Sequence, residues 1–214
     1  MSDQKEWFRR STWTSRDREE FNTRLLRSRG DARKAQYLRL QAQHLHSTGD
    51  ARLLQPALEL LDRLISEYPE PIQLGSAHSL RAEVLVDLGQ PVAALASYEA
   101  AVAARRAFPQ VSDDAYLGYV ELILTLQLHA RYAAAQDVLD EFPVGPFPIQ
   151  AFRDATARAL LASARGEGSA ARDWARAALE AADRSESPFR YHRRLGLVTG
   201  TDAHVVQRLK ELAK

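Results

Sequence analysis

One pattern limits what this chain can fold into more than any other: two apolar-periodic segments joined at a glycine, recurring along the sequence. The clearest copy runs from Gly75 to Phe108 and places Ala82, Leu85, Gly89, Ala94, Tyr98 and Ala101 in order. Small residues spaced three and four apart lie on one face of a helix, and a glycine between two such segments is a helix stop. Small side chains on facing helices permit close packing, so Ala82 and Ala94 are the expected contact within this pair. Upstream, Leu38, Ala42, Leu45, Gly49, Ala57, Leu61 and Leu64 repeat the arrangement and end at Pro69. Downstream, Tyr119, Leu122, Leu126, Ala135 and Leu139 repeat it up to Pro143, with Ala130 in place of the glycine. A last copy supplies Ala155, Ala159, Ala162, Gly166, Ala171, Ala175 and Ala178. A chain repeating such a unit has to stack its helix pairs to bury their open faces.

These copies resemble the tetratricopeptide repeat, a helix-turn-helix unit of about 34 residues. The resemblance is good through the turn and second helix of the Gly75–Phe108 copy. It departs at His78, Arg81 and Arg106. The first copy has a turn three residues longer than the family's. The resemblance implies an all-α fold, a right-handed superhelical stack of antiparallel helix pairs of the α-solenoid kind. About four pairs would occupy residues 35–184, behind an aromatic and basic lead with a capping helix (1–34) and ahead of a C-terminal capping segment and helix (185–214). The WFR lead with Trp13, the QYLRLQA segment and the terminal YHRRLGLV also resemble bacterial tetratricopeptide-containing proteins, a likeness that brings no activity with it.

Composition agrees with helices. Apolar residues make up 45% and charged residues 27%, values of a chain able to bury a core. Alanine and leucine dominate the apolar set, and both are strong helix formers. There is no cysteine, which excludes disulfides, thiolate metal sites and cysteine nucleophiles. No apolar run has the length of a signal peptide or a membrane span, so a cytoplasmic protein without a membrane partner is expected.

At the ends, Thr14–Asp17 reads as a capping box opening a helix from about Ser15 to Arg29. Trp7, Phe8 and Trp13 before it are too few to form their own core, and cover the open end of the first repeat unless they serve as a binding patch. Ser112 or Asp113 can cap the helix after the loop beginning at Pro109, and the prolines of 144–148 favour an extended joint. A last helix, Ala203 to Leu212, would pack through Val205, Val206, Leu209 and Leu212.

No catalytic motif is present: no G-x-S-x-G, no phosphate-loop lysine signature and no H-E-x-x-H. Gly166-Glu-Gly168 lacks a preceding strand and reads as a turn. His44 and His46 project about 200° apart on a helix and cannot share one metal ion. His46 and Glu83 are candidates to approach each other across neighbouring repeats. No cofactor, metal or catalytic residue is therefore expected, and the chain reads as a non-enzyme.

The resemblance further implies a concave groove lined by first-helix positions. Carried over, these are Gln36, Arg39, Gln43 and His46; Ser76, Ser79, Glu83 and Val86; Leu117, Val120, Leu124 and Gln127; and Arg153, Thr156, Leu160 and Ser163. The surface suits a peptide or a protein helix, making the chain a protein-binding scaffold. Arg39 and Gln43 resemble part of the carboxylate clamp of some family members, but Ser79 and Glu83 do not continue it. Net charge is +1, yet residues 1–40 carry +5, 190–214 carry +4 and the middle −8. Basic ends with nearby tryptophans give an alternative, nucleic-acid binding through the N-terminal arm, and the opposite charges allow association between copies as a homo-oligomer.

Overall fold

In a computed structural model the chain is described over residues 6–111 and 113–214. Ser112, one of the two candidate caps, and the first five residues lie outside the described residues. Among the described residues the regular structure is helical, with ten α-helices and no strand. They are α1 (Ser15–Arg27), α2 (Asp31–His46), α3 (Leu54–Glu67), α4 (Pro71–Asp87), α5 (Pro91–Ala107), α6 (Ala115–Thr125), α7 (Tyr132–Glu141), α8 (Pro148–Ala164), α9 (Gly168–Ala182) and α10 (Ala203–Leu212).

Local chemistry accounts for many of the boundaries. Proline occupies the first residue of α4, α5 and α8, where its missing N–H costs nothing. The α1 start is a capping box: Asp17 N–H donates to Thr14 Oγ1 at 3.2 Å, and Thr14 N–H donates to Asp17 Oδ2 at 2.8 Å. Ala115 N–H, at the first residue of α6, donates to Asp113 Oδ1.

The helices α2, α4, α6 and α8 run into the same turn. Gly49, Gly89 and Gly166 have φ near +70° to +77°, and each donates its N–H to the carbonyl three residues back. After α6 the equivalent residue is Gln127, at φ 51° and the one non-glycine with positive φ among the described residues. Left-handed backbone costs an L-residue about 1–2 kcal/mol. Exposed Gln127 has little packing to lose, so Gln127→Gly is expected to stabilise the chain by about 0.5–1 kcal/mol and raise the midpoint of a thermal circular-dichroism melt. The additional residues of the first turn form a short 3-10 helix, Ala51–Leu53, begun by Asp50, and a second, His129–Arg131, follows Gln127.

The chain divides into two compact units, 1–115 and 116–214. In the first, α2 packs on α3, and α4 packs on α2, α3 and α5. Leu38, Ala42, Leu45, Ala57, Leu61, Leu64, Ala82 and Ala94 are all fully buried at its centre. Arg81, a departure from the family pattern, joins three helices: its Nε donates to Asp62 of α3 at 2.6 Å and its Nη1 to Ser97 of α5 at 2.5 Å. The N-terminal arm is packed down rather than splayed. Trp7 and Phe8 lie against Tyr37 with ring centroids 4.8 and 4.7 Å apart, and Trp7 and Trp13 contact Phe21.

In the second unit α8 and α9 form the tightest pair, built on Ala155, Ala159, Ala175, Ala178 and Ala181. The α10 helix rests on both and inserts fully buried Leu209, with Val205 and Leu212 partly covered beside it. Side chains of α7, α8 and α9 meet at Arg158, which bonds to Asp154 Oδ2, to Asp140 and to the Leu139 carbonyl while lying over the Trp174 ring.

Candidate functional site

Four residues expected to line a groove, Leu124, Arg153, Thr156 and Leu160, meet around a cavity of about 330 Å³ in the second unit. Glu121 and Thr125 of α6 and Phe152 and Ala157 of α8 complete two walls, and Thr201 and Val205 bring in the C-terminal segment. Spacing along each helix explains the convergence. Residues 153, 156, 157 and 160 are three and four apart on α8, and 121, 124 and 125 are likewise grouped on α6.

A paired charge joins the two walls. Arg153 Nε donates to Glu121 Oε1 and Nη2 to Glu121 Oε2, both at 2.6 Å, a two-pronged bridge from α8 to α6. The rest of the lining is mostly apolar, and Thr156 Oγ1 is buried without a hydrogen-bond partner among the described residues. The cavity therefore suits an apolar side chain entering beside an ion pair.

The other expected residues fall differently. Leu117 and Val120 are fully buried, so they belong to the core and not to a binding face. The reason is the composition of α6, AYLGYVELILT, whose one charged residue is Glu121: a helix apolar nearly all round is covered nearly all round. Gln127 is exposed but lies in the turn beyond α6.

In the first unit, Gln36, Gln43 and Glu83 are exposed on α2 and α4, while Arg39, His46 and Ser79 are partly covered. His46 pairs with Asp87, Nε2 to Oδ2 at 2.8 Å, one turn beyond Glu83 along α4. Arg39 has an unusual environment. Its Nε donates to Gln73 Oε1 at 2.7 Å, and among the described residues no carboxylate neutralises it. Burial holds its pKa below the ordinary arginine value.

The N-terminal arm has a different character. Arg10 forms ion pairs with Asp17 and Glu20, each at 2.5 Å, and its backbone N–H and carbonyl bond to the two ends of the Gln41 amide. Gln41 is fully buried, a polar residue whose role the sequence did not disclose. Arg9 pairs with Glu6 and Arg16 with Glu20.

Two carboxyls, buried Asp154 and partly buried Asp113, have raised pKa values, and neither lines the cavity. Burial raises Asp113, whose Oδ1 accepts the Ala115 N–H, and burial raises Asp154 despite Arg158. In both, burial outweighs the partners that lower the pKa, and one oxygen of each, Asp113 Oδ2 and Asp154 Oδ1, is buried without a hydrogen-bond partner among the described residues. Among the described residues no group of three or more histidines and carboxylates could hold a metal ion, and no helix is long and apolar enough to cross a membrane. No family model, curated protein or solved structure matches the chain.

Proposed function

We propose that this chain is a non-catalytic scaffold of tetratricopeptide-like helix pairs, stacked as a right-handed superhelix, that binds a protein segment through first-helix faces. The observation that carries the reading is the convergence of Leu124, Arg153, Thr156 and Leu160 on one cavity of about 330 Å³. A mostly apolar recess with a few polar groups at its edge is the usual form of an anchor pocket. The partner chemistry that fits is a peptide or helix presenting an apolar side chain to the second unit. On the first unit, Arg39 favours an acidic side chain, because a partly desolvated guanidinium without a carboxylate gains from acquiring one.

Leu124→Asp and Arg39→Glu, made separately, test the two units independently. Binding partners retained by affinity capture on the natural protein should be lost from the first variant, since filling an anchor pocket with charge costs about 2 kcal/mol or more. The second should weaken only partners that are acidic. Retention of every partner by both variants, with helical circular dichroism intact, would place binding elsewhere. Nucleic-acid binding through the N-terminal arm is less favoured, because Trp7 and Trp13 are packed on Phe21 and Arg10 is held by two carboxylates.

A further inference from the structure

The segment joining α9 to α10 combines basic and aromatic groups on an open surface. Arg190, Tyr191, His192, Arg193 and Arg194 follow one another directly, and every one is exposed, Tyr191 to 85%. Arg193 lies 3.5 Å from Glu186. Arg190 and Arg194 have no carboxylate partner among the described residues, and the Arg190 guanidinium lies 5.7 Å from the centre of the Tyr191 ring. A tyrosine left in water among three guanidinium groups contributes nothing to a core.

The backbone holding these side chains is ordered by contacts at both ends. Phe189 stacks on Phe147 at 5.2 Å, the Arg193 carbonyl accepts the Ser187 N–H, and the Gly196 carbonyl accepts the Ile149 N–H. Gly196 has φ 71°, and a Cβ there would lie 2.3 Å from the Phe147 ring, so the close approach requires glycine. The segment is thus a built loop tied to the start of α8, with its cations and its ring turned outward.

We propose that residues 189–195 bind single-stranded nucleic acid, Tyr191 serving as a stacking platform for a base and Arg190, Arg193 and Arg194 contacting phosphates. Base stacking uses an exposed π face and is tolerant of sequence, while phosphates use the flanking cations. An acidic polypeptide would use the charges and leave the ring without a comparable role. This surface is separate from the cavity residues of the scaffold reading, and its test does not depend on that reading.

The test is fluorescence anisotropy of a labelled ten-residue oligouridylate, titrated with the full chain across a range of salt. Binding is expected at low ionic strength, with a log–log salt slope of about −2 for three phosphate contacts. Tyr191→Ala should weaken binding about five-fold or more while keeping that slope, and Arg190→Glu with Arg194→Glu should abolish it. Arg16→Glu with Arg24→Glu, on the N-terminal helix, should leave it unchanged. None of these side chains is buried, and helical circular dichroism checks that the fold is retained. No binding at low salt, equal binding by Tyr191→Ala, or full competition by polyglutamate at matched charge would each overturn the proposal, the last by assigning the loop to acidic polypeptides.

Discussion

Replacing Arg158 with methionine is expected to destabilise the second unit by about 3 kcal/mol or more, read as a lower denaturation midpoint at neutral pH. Methionine keeps much of the side-chain volume but leaves Asp154, only 3% exposed, as a buried carboxylate without its counter-ion. Removing one partner of a buried pair costs about 3–5 kcal/mol because the other charge stays desolvated. The Trp174 ring also loses its cation.

The pH dependence gives an internal check. Burial, partly offset by Arg158, holds the Asp154 pKa above its ordinary value, so the unfolded carboxyl releases its proton more readily than the folded one. Stability from this group is present below the unfolded pKa and is lost as pH rises through the folded one. In Arg158→Met that pKa should rise further, so the difference between the two proteins should shrink on acidification towards about pH 4. A deficit independent of pH would mean that lost packing, not a stranded charge, is the cause. Adding Asp154→Asn to Arg158→Met should recover part of the loss at neutral pH.

Asp17→Asn should have the next largest effect and should act on the other unit. Burial would raise the Asp17 carboxyl, but hydrogen bonds from Thr14, Thr12 and Arg10 outweigh it and bring the pKa down to about 2. A depressed carboxyl contributes stability above its unfolded pKa and loses it as pH falls from there to the folded pKa. The window is therefore about pH 4 to pH 2, and the contribution at neutral pH is about 2 kcal/mol. The amide variant would lack this contribution at all pH values above that window. Because Asp17 holds Arg10, and Arg10 holds the arm to Gln41, Trp7 and Trp13 should become more solvated, seen as a red shift and increased quenching of tryptophan fluorescence. Unchanged emission would show that ring packing alone secures the arm. Acid should thus weaken this contact while relieving the burial cost of Asp154.

Helix content and the positions of the small packed residues were legible because both depend on short-range periodicity. Ala82, Ala94, Ala159 and Ala175 recur at helical spacing and are fully buried. The same reasoning placed Leu124, Arg153, Thr156 and Leu160 on related faces, and the structure gathers those four. It failed at Leu117 and Val120, because a family register assigns a face without asking whether the helix has any polar face to expose. Phe152 and Glu121 were missed, and Val205 was read as packing alone, since the cavity arises where three separate segments meet. The Asp154 and Arg158 pair had a visible signal in its four-residue spacing, but nothing in the sequence says that such a pair is buried. Gln41 carried no signal, its partner being the main chain of a distant residue.

The left-handed residue that ends α2, α4, α6 and α8 separates two kinds of variation. It stops each helix at a fixed point, and the 3-10 segments Ala51–Leu53 and His129–Arg131 come after it. Insertions or deletions placed there alter the span of a pair without rotating the helix that precedes them. The length of a pair can then be changed by design while the register of the preceding helix is preserved, which makes these junctions the natural points for grafting a foreign helix pair.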